Sequence, residues 1–214
     1  MKKEQINKQA IFKSINNLLE NPNFNPLLGS NWYNDKSYSI LDIVTGHVLK
    51  TVISKSVYAA IVSILSPANS WNNNLWDSHF LIYRFFNITK DTNWKYRTYQ
   101  ANVDKANKLL QRIELGEDSE TIINSMLNNK TGLKTWNFYN NLRNPYNNEF
   151  ITIDRHILKV MGFSDKSITP KNYQDLSLIL KEFHLKSKFS YLSLCNFQAL
   201  LWCNYLNLQN KPFE

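Results

Sequence analysis

The sequence predicts an all-α protein, and three observations carry that expectation. Chain breakers are scarce, with 5 Gly and 6 Pro in 214 residues, so few positions interrupt a helix. Apolar residues recur at three- and four-residue intervals along most of the chain. The one β-branched patch, "FITI" at 150–153, is too short to compete with that periodicity. Hydrophobic residues make up 43% and aromatics 14%, which is material for a packed core and excludes a disordered chain. The length fits one domain, or two small lobes sharing a cleft.

Taken in order, Ile6 to Leu19 carries Ile6, Ala10, Ile11, Ile15, Leu18 and Leu19 on one helical face. "NPNFNPLLGSN" breaks it with two prolines and a glycine. Tyr38 to Ile53 reads as the second helix, with Ser37 as its cap. Val57 to Leu65 is strongly apolar and reads as a core helix, ended by Pro67 in "SPANS". Ser66, Asn69 or Ser70 then caps the next helix, Trp71 to Phe86. Thr98 to Ile113, Ser119 to Leu127 and Leu133 to Leu142 follow. After the polar loop "RNPYNNE" come helices from Asp154 to Met161, Pro170 to His184 and Tyr191 to Leu206. The total is roughly ten helices.

A formal charge of +8 and a pI near 9.3 favour an anionic partner, nucleic acid first. AT-rich coding inflates Lys and Asn regardless of function, so charge alone leaves compositional drift equally open. Lys105, Lys108, Lys130 and Lys171 are candidates for phosphate contacts, against the ordinary reading of solvated faces. Cys195 and Cys203 are eight residues apart in one expected helix, about 12 Å along its axis, too far for a disulfide. They read as buried or half-buried thiols in a reducing compartment, and two thiols cannot hold a four-cysteine iron–sulfur cluster. His47, His79 and His184 show no metal-ligand spacing, so neither a metal nor another cofactor is expected. No apolar run is long enough to span a bilayer, and "MKKEQINKQA" lacks the apolar stretch of a signal peptide. The expectation is a soluble intracellular protein, of a bacterial or phage-type cytoplasm or of an organelle or nucleoid.

The chemistry-bearing stretch is "TGLKTWNFYNNLRNPYNNEFITIDRHILKVMGF", 131–163. It puts Lys134 in the first turn of one helix and Asp154 at the start of the next. A turn ending in Gly132 aims backbone N–H groups at the N-terminus of the following helix, a geometry that favours phosphate. A cation in that first turn is disfavoured by the dipole unless an anion lies opposite it. Read singly, Lys134 is an ordinary surface lysine and Asp154 an ordinary helix cap.

The surrounding residues change that reading. "G-L-K-T" followed twenty positions on by "I-D-R-H-I-L-K-V" resembles the helix–hairpin–helix (HhH-GPD) DNA glycosylases. Gly132, Lys134, Asp154 and His156 stand on that family's Gly-x-Lys hairpin and V-D-x-H segment. "ILSPANSWNNN" (64–74) is similar to the family's L-S-x-Q/N helix end, and "NFQALLWCNYL" (196–206) to the last helix of its 8-oxoguanine glycosylases. The four segments follow in the family's order, over roughly residues 55–207. Where the family hairpin usually reads L-P-G-x-G-x-K, this chain has Asn129 for the proline and Lys130 for the first glycine, so Asn129 would take the left-handed turn. The chain resembles still more closely a set of short phage and organelle-type proteins. Those share the pattern of Trp32–Tyr33, Leu65–Pro67 with Trp71 and Asn74, and Lys134, Phe138, Asn141 and Asp154–His156.

The resemblance implies a two-lobed helical fold with a cleft, lobe A near 55–130 and lobe B comprising 1–54 with 131–214. It implies a monomer acting on double-stranded DNA that contains a lesion or modified base. Lys134 would be the Schiff-base nucleophile and Asp154 the essential carboxylate. Asn69 would fill the stack vacated by a flipped base; Ser66, Gly132 and Lys130 would contact the DNA, and His156 a phosphate or the pocket. Gln198 would read the flipped base and Trp202 stack on it, which points to an oxidised purine such as 8-oxoguanine. Each also has a plain reading: Gln198 as a satisfied core amide, Trp202 as core, Asn69 as a cap. Two alternatives remain: a helix–hairpin–helix DNA-binding protein without catalysis, and a helical structural protein of a mobile element.

Overall fold

The computed structural model describes residues 6–46, 53–90, 93–128, 132–163 and 169–211. Among these the protein is all-helical, with ten helices and no strand: α1 Lys8–Leu19, α2 Trp32–Gly46, α3 Lys55–Leu65, α4 Trp71–Phe85, α5 Gln100–Glu114, α6 Ser119–Leu127, α7 Leu133–Arg143, α8 Arg155–Val160, α9 Pro170–Lys186 and α10 Leu194–Leu208. No helix among them is long and apolar enough to cross a membrane. His47, Asn129 and Lys130 lie outside the described residues, so their expected roles have no structural counterpart here.

The chain forms two compact units, residues 1–37 with 140–213, and residues 38–139. These boundaries differ from lobes drawn at 55 and 130, because α2 and α7 each pass from one unit to the other. In the second unit α3 is the centre. Every residue from Val57 to Leu65 is buried, and α4, α5 and α6 pack around it. An all-round apolar helix has no other stable position. Its cap is Ser54, whose Oγ accepts from Val57 N at 3.3 Å.

In the first unit α10 has the central role, with α1, α8 and α9 against it. The helix begins without a bond from its own Ser193 cap. Asn148 of the "RNPYNNE" loop accepts from Leu194 N at 2.7 Å instead, and the Cys195 thiol donates to Pro145 O at 3.1 Å. Both cysteines are free and buried; burial raises the Cys195 thiol to about 11 and the Cys203 thiol to about 12.

One expectation needs correction. The second helix begins at Trp32, so Ser37 is an interior residue and no cap. "FITI" is extended without a sheet partner, because the Tyr173 hydroxyl accepts from Ile153 N (2.9 Å) and donates to Ile151 O (3.0 Å). One side chain thereby satisfies two buried main-chain groups that a strand would otherwise pair. The helix at 119 is capped by Asp118, which accepts from Thr121 N at 2.9 Å.

Gly29, in the segment between α1 and α2, takes φ +82°, and a Cβ there would lie 2.7 Å from both Ala199 O and Cys203 Sγ of α10. Gly29→Ala therefore adds left-handed strain to overpacking, and the expected loss is about 3 kcal/mol. Urea unfolding measures it; a loss below about 1 kcal/mol would mean that the segment moves aside at little cost.

His184 is buried, with Nε2 donating to Leu192 O at 3.0 Å and its ring 4.9 Å from that of Phe197. Burial lowers its pKa from the ordinary value. The unfolded histidine takes its proton near pH ~6.5 while the folded one resists it. Stability is therefore complete above that pH and falls on acidification toward the lower folded value. The thermal midpoint should drop between pH 7.5 and 5.5, and less so in His184→Gln. An identical drop in the variant would remove His184 as the cause.

Candidate functional site

Asp154 sits where buried extended backbone becomes helix. Ile151, Thr152 and Ile153 are buried, and the chain turns into α8 with Asp154 as its cap. Asp154 Oδ1 accepts from His156 N and Ile157 N, both at 2.9 Å. Both cap bonds fall on one oxygen, so the cap does not require Oδ2. Asp154 is half-buried, and its charge is one of those felt by the Tyr33 phenol.

Tyr33, on the first turn of α2, is 2% exposed. Its main-chain N–H donates to Asn196 Oδ1 of α10 at 2.9 Å. Its hydroxyl meets Thr152 and Asn141, and Asn141 Nδ2 donates to Thr152 Oγ1 at 3.0 Å. Burial, above all, raises the Tyr33 pKa well beyond its ordinary value; the thiol of Cys195 and the carboxylate of Asp154 push the same way. Tyr33 is thus held as a neutral phenol beside a carboxylate.

An aromatic group adjoins this polar one. Trp202 of α10 lies 5.7 Å from Trp32, edge to face, and 6.3 Å from the His156 ring, tilted by 33°. Trp32 in turn meets Tyr33 at 4.8 Å, and Lys36 Nζ stands 5.6 Å from the Trp32 ring centre. Trp202 is half-buried and so only partly a core residue.

Gln198 stands one turn before Trp202 on α10. Three amides of this helix are buried: Asn196, Gln198 and Asn204. Asn196 bonds Tyr33 N and Asn34, and Asn204 bonds Asn25 through both its amide atoms. Gln198 differs: it is 1% exposed and its Oε1 accepts no hydrogen bond. A sealed acceptor without a donor costs about 1–3 kcal/mol, so Gln198 Oε1 stands out on α10 as a buried acceptor with no protein donor.

In the second unit, Gly132 precedes α7 and its carbonyl accepts from Trp136 N at 3.0 Å. Lys134 is exposed in the first turn of that helix. Ser66 ends α3, donating to Ser63 O at 3.1 Å. Ala68 then takes φ 62°, and Ser70 caps α4. Asn69 is not the cap: its Nδ2 donates to Asp77 Oδ2 at 2.9 Å. Asp77 is a fully buried carboxylate that also accepts from Trp94 Nε1 (3.0 Å) and Arg97 N (2.9 Å), with the Arg97 guanidinium 3.5 Å away.

In the first unit the structure sets the His156 ring against Trp202, with Asp154 two residues before His156 and Gln198 one turn before Trp202. It places Ser66 and Asn69 in a polar turn of the second unit, and Gly132 and Lys134 at the start of α7. Sequence reasoning missed Tyr33, Thr152, Asn141 and Trp32 as site residues. "WY" entered only as part of a resemblance, and nothing local in "FITI" or "YNNL" marks a residue that bonds across the fold.

The family described as "Family of unknown function (DUF7178)" matches residues 2–204, and the chain belongs to it. No curated protein and no solved structure matches it.

Proposed function

We propose that this family member is a DNA glycosylase with AP lyase activity, an intracellular monomer acting on duplex DNA with a lesion or modified base. The observation that supports the reading is the pairing of the Trp202 and His156 rings beside Asp154, a carboxylate whose cap bonds use one oxygen, with the unpartnered Gln198 acceptor one turn before Trp202. A base in a duplex is reached only by extrusion into a pocket that stacks it and bonds its edge. Trp202 supplies the ring, and Gln198 Oε1 a buried acceptor for a ring N–H or exocyclic amine. The N7–H of 8-oxoguanine is a donor of that kind.

Breaking the glycosidic bond develops positive charge on the sugar, which the Asp154 carboxylate stabilises. The Lys134 amine attacks C1′, and the base departs with the bonding electron pair and takes up a proton. Ring opening gives an imine between Nζ and C1′. Loss of a C2′ proton then breaks the C3′–O bond and releases the 3′ phosphate, which nicks the strand. Water could replace an amine in simple excision, so Lys134 is the reason to propose lyase activity. Ser66, Gly132 and Lys130 contact the DNA in this reading, His156 a phosphate or the pocket, and Asn69 fills the vacated stack.

The test is a duplex containing one abasic site, incubated with the protein and sodium borohydride. The expected result is a reduced covalent adduct and, without borohydride, a nick. Salt-sensitive duplex binding with no adduct would replace the reading with a non-catalytic helix–hairpin–helix binder. No DNA binding at all would leave a structural protein of a mobile element.

A further inference from the structure

A groove in the second unit, of about 650 Å³, lies beside the Asp77 cluster and shares Trp94 with it. Arg84, Phe85, Trp94, Lys95, Tyr96 and Gln100 line it, and among the described residues no carboxylate does. We propose that this groove binds a nucleotide whose base is unstacked, presented by a single strand or as free nucleoside phosphate.

The groove combines two features such a ligand needs. The first is positive charge. Arg84 and Lys95 are exposed, and α5, which opens onto the groove at Gln100, has neither an acidic residue in its first turn nor a side-chain bond from its Tyr99 cap. Two carboxylates bond lining side chains: buried Asp77 takes the Trp94 N–H, and Asp104 takes the Gln100 amide hydrogen at 2.8 Å and leaves Gln100 Oε1 for a base edge. The second feature is fixed aromatic surface. Trp94 is stacked on Phe80 with centroids 3.9 Å apart and planes at 7°, and Arg97 lies 4.9 Å from the Trp94 ring centre. Phe80 occupies one face of the indole, so Arg97 covers the other. The Trp94 N–H is tied to buried Asp77 at 3.0 Å. Trp94 is therefore a rigid wall. Half-buried Tyr96 and Phe85 are the rings left to accept a base.

Tyr96 and Arg84 line the groove together, and the Arg84 charge acts on the Tyr96 hydroxyl, so ring and cation are placed together, as a base and its phosphate are. Aromatic faces beside a cationic track are how unstacked bases are held without sequence preference. The volume suits one or two nucleotides. Duplex bases, stacked on both faces, offer no ring to Tyr96. This inference does not rest on the glycosylase reading.

The test uses the full chain and fluorescence anisotropy with a labelled six-residue oligothymidylate, competed by thymidine monophosphate and by a polyphosphate of equal charge. The expected result is binding at least tenfold weaker in Arg84→Ala/Lys95→Ala, with the slope of log K against log salt smaller by about 1.4. Tyr96→Ala should weaken it about fivefold or more and Tyr96→Phe should not; the latter also shows that the region still folds. Ultraviolet crosslinks should fall on the 93–100 segment. Competition by the mononucleotide at similar concentration identifies free nucleotide as the source, and competition only by the strand identifies nucleic acid; either supports the site. Equal affinity in all variants, or polyphosphate competing as well as the strand, overturns it. Lys134→Ala should leave this binding unchanged, so failure here is separable from failure of the excision chemistry.

Discussion

Lys134→Ala should abolish the borohydride-trapped adduct on abasic-site duplex and lower the nicking rate by a factor of about 10³ or more, since in the proposed mechanism Lys134 supplies the imine nitrogen. The substitution is a clean one. Lys134 is exposed in the first turn of α7, and Ala is the best helix former, so the thermal midpoint should hold. Lys134→Arg separates charge from nucleophilicity. It keeps the cation, and with it duplex affinity, but its guanidinium does not act as an amine nucleophile. An adduct that persists in either variant would assign the covalent step to another residue and sink the proposal as stated.

Asp154→Asn gives the second large effect. Asp154 has a visible structural task, capping α8 through Oδ1, and Asn caps helices about as well as Asp. The variant therefore removes charge and keeps the fold. Base excision, measured in single turnover on an 8-oxoguanine duplex first and other modified bases next, should fall about 10²–10³-fold, the usual worth of one preorganised electrostatic contact to a developing charge. Adduct formation at a ready-made abasic site should suffer less, because the glycosidic bond is already broken. Asp154→Ala adds a cap loss of about 1 kcal/mol. Full excision activity in the Asn variant would reduce Asp154 to a helix cap.

The helices were legible because their signals are local. Pro170 at the first turn of α9, Ser70 before α4 and the apolar run of α3 each announce themselves within a few residues. The start of α2 was missed because its first turn faces α10: Tyr33 is buried and its N–H is bonded to Asn196, 163 positions away. Ser37, a good cap by composition, then falls in a helix interior. "FITI" stays extended through a hydroxyl on α9, which no local propensity encodes. The candidate site divides in the same way. Asp154, His156, Gln198 and Trp202 could be picked from spacing and resemblance. The Tyr33–Thr152–Asn141 network could not, since its members are ordinary residues until the fold collects them. Asn69 shows the limit of reading a turn by itself: wedge and cap were both reasonable, and the structure gives its amide to a carboxylate eight residues ahead.

The buried carboxylate of Asp77 has an evolutionary consequence. It is shared by Asn69, Trp94 and Arg97, so the turn after α3 and the wall of the basic groove answer to one acceptor. Substitutions at these positions will not add: removing a second donor after the first meets an anion already short of partners. Across the family, positions 69, 77, 94 and 97 should drift as a set, a correlated signature that an alignment can display without any assay.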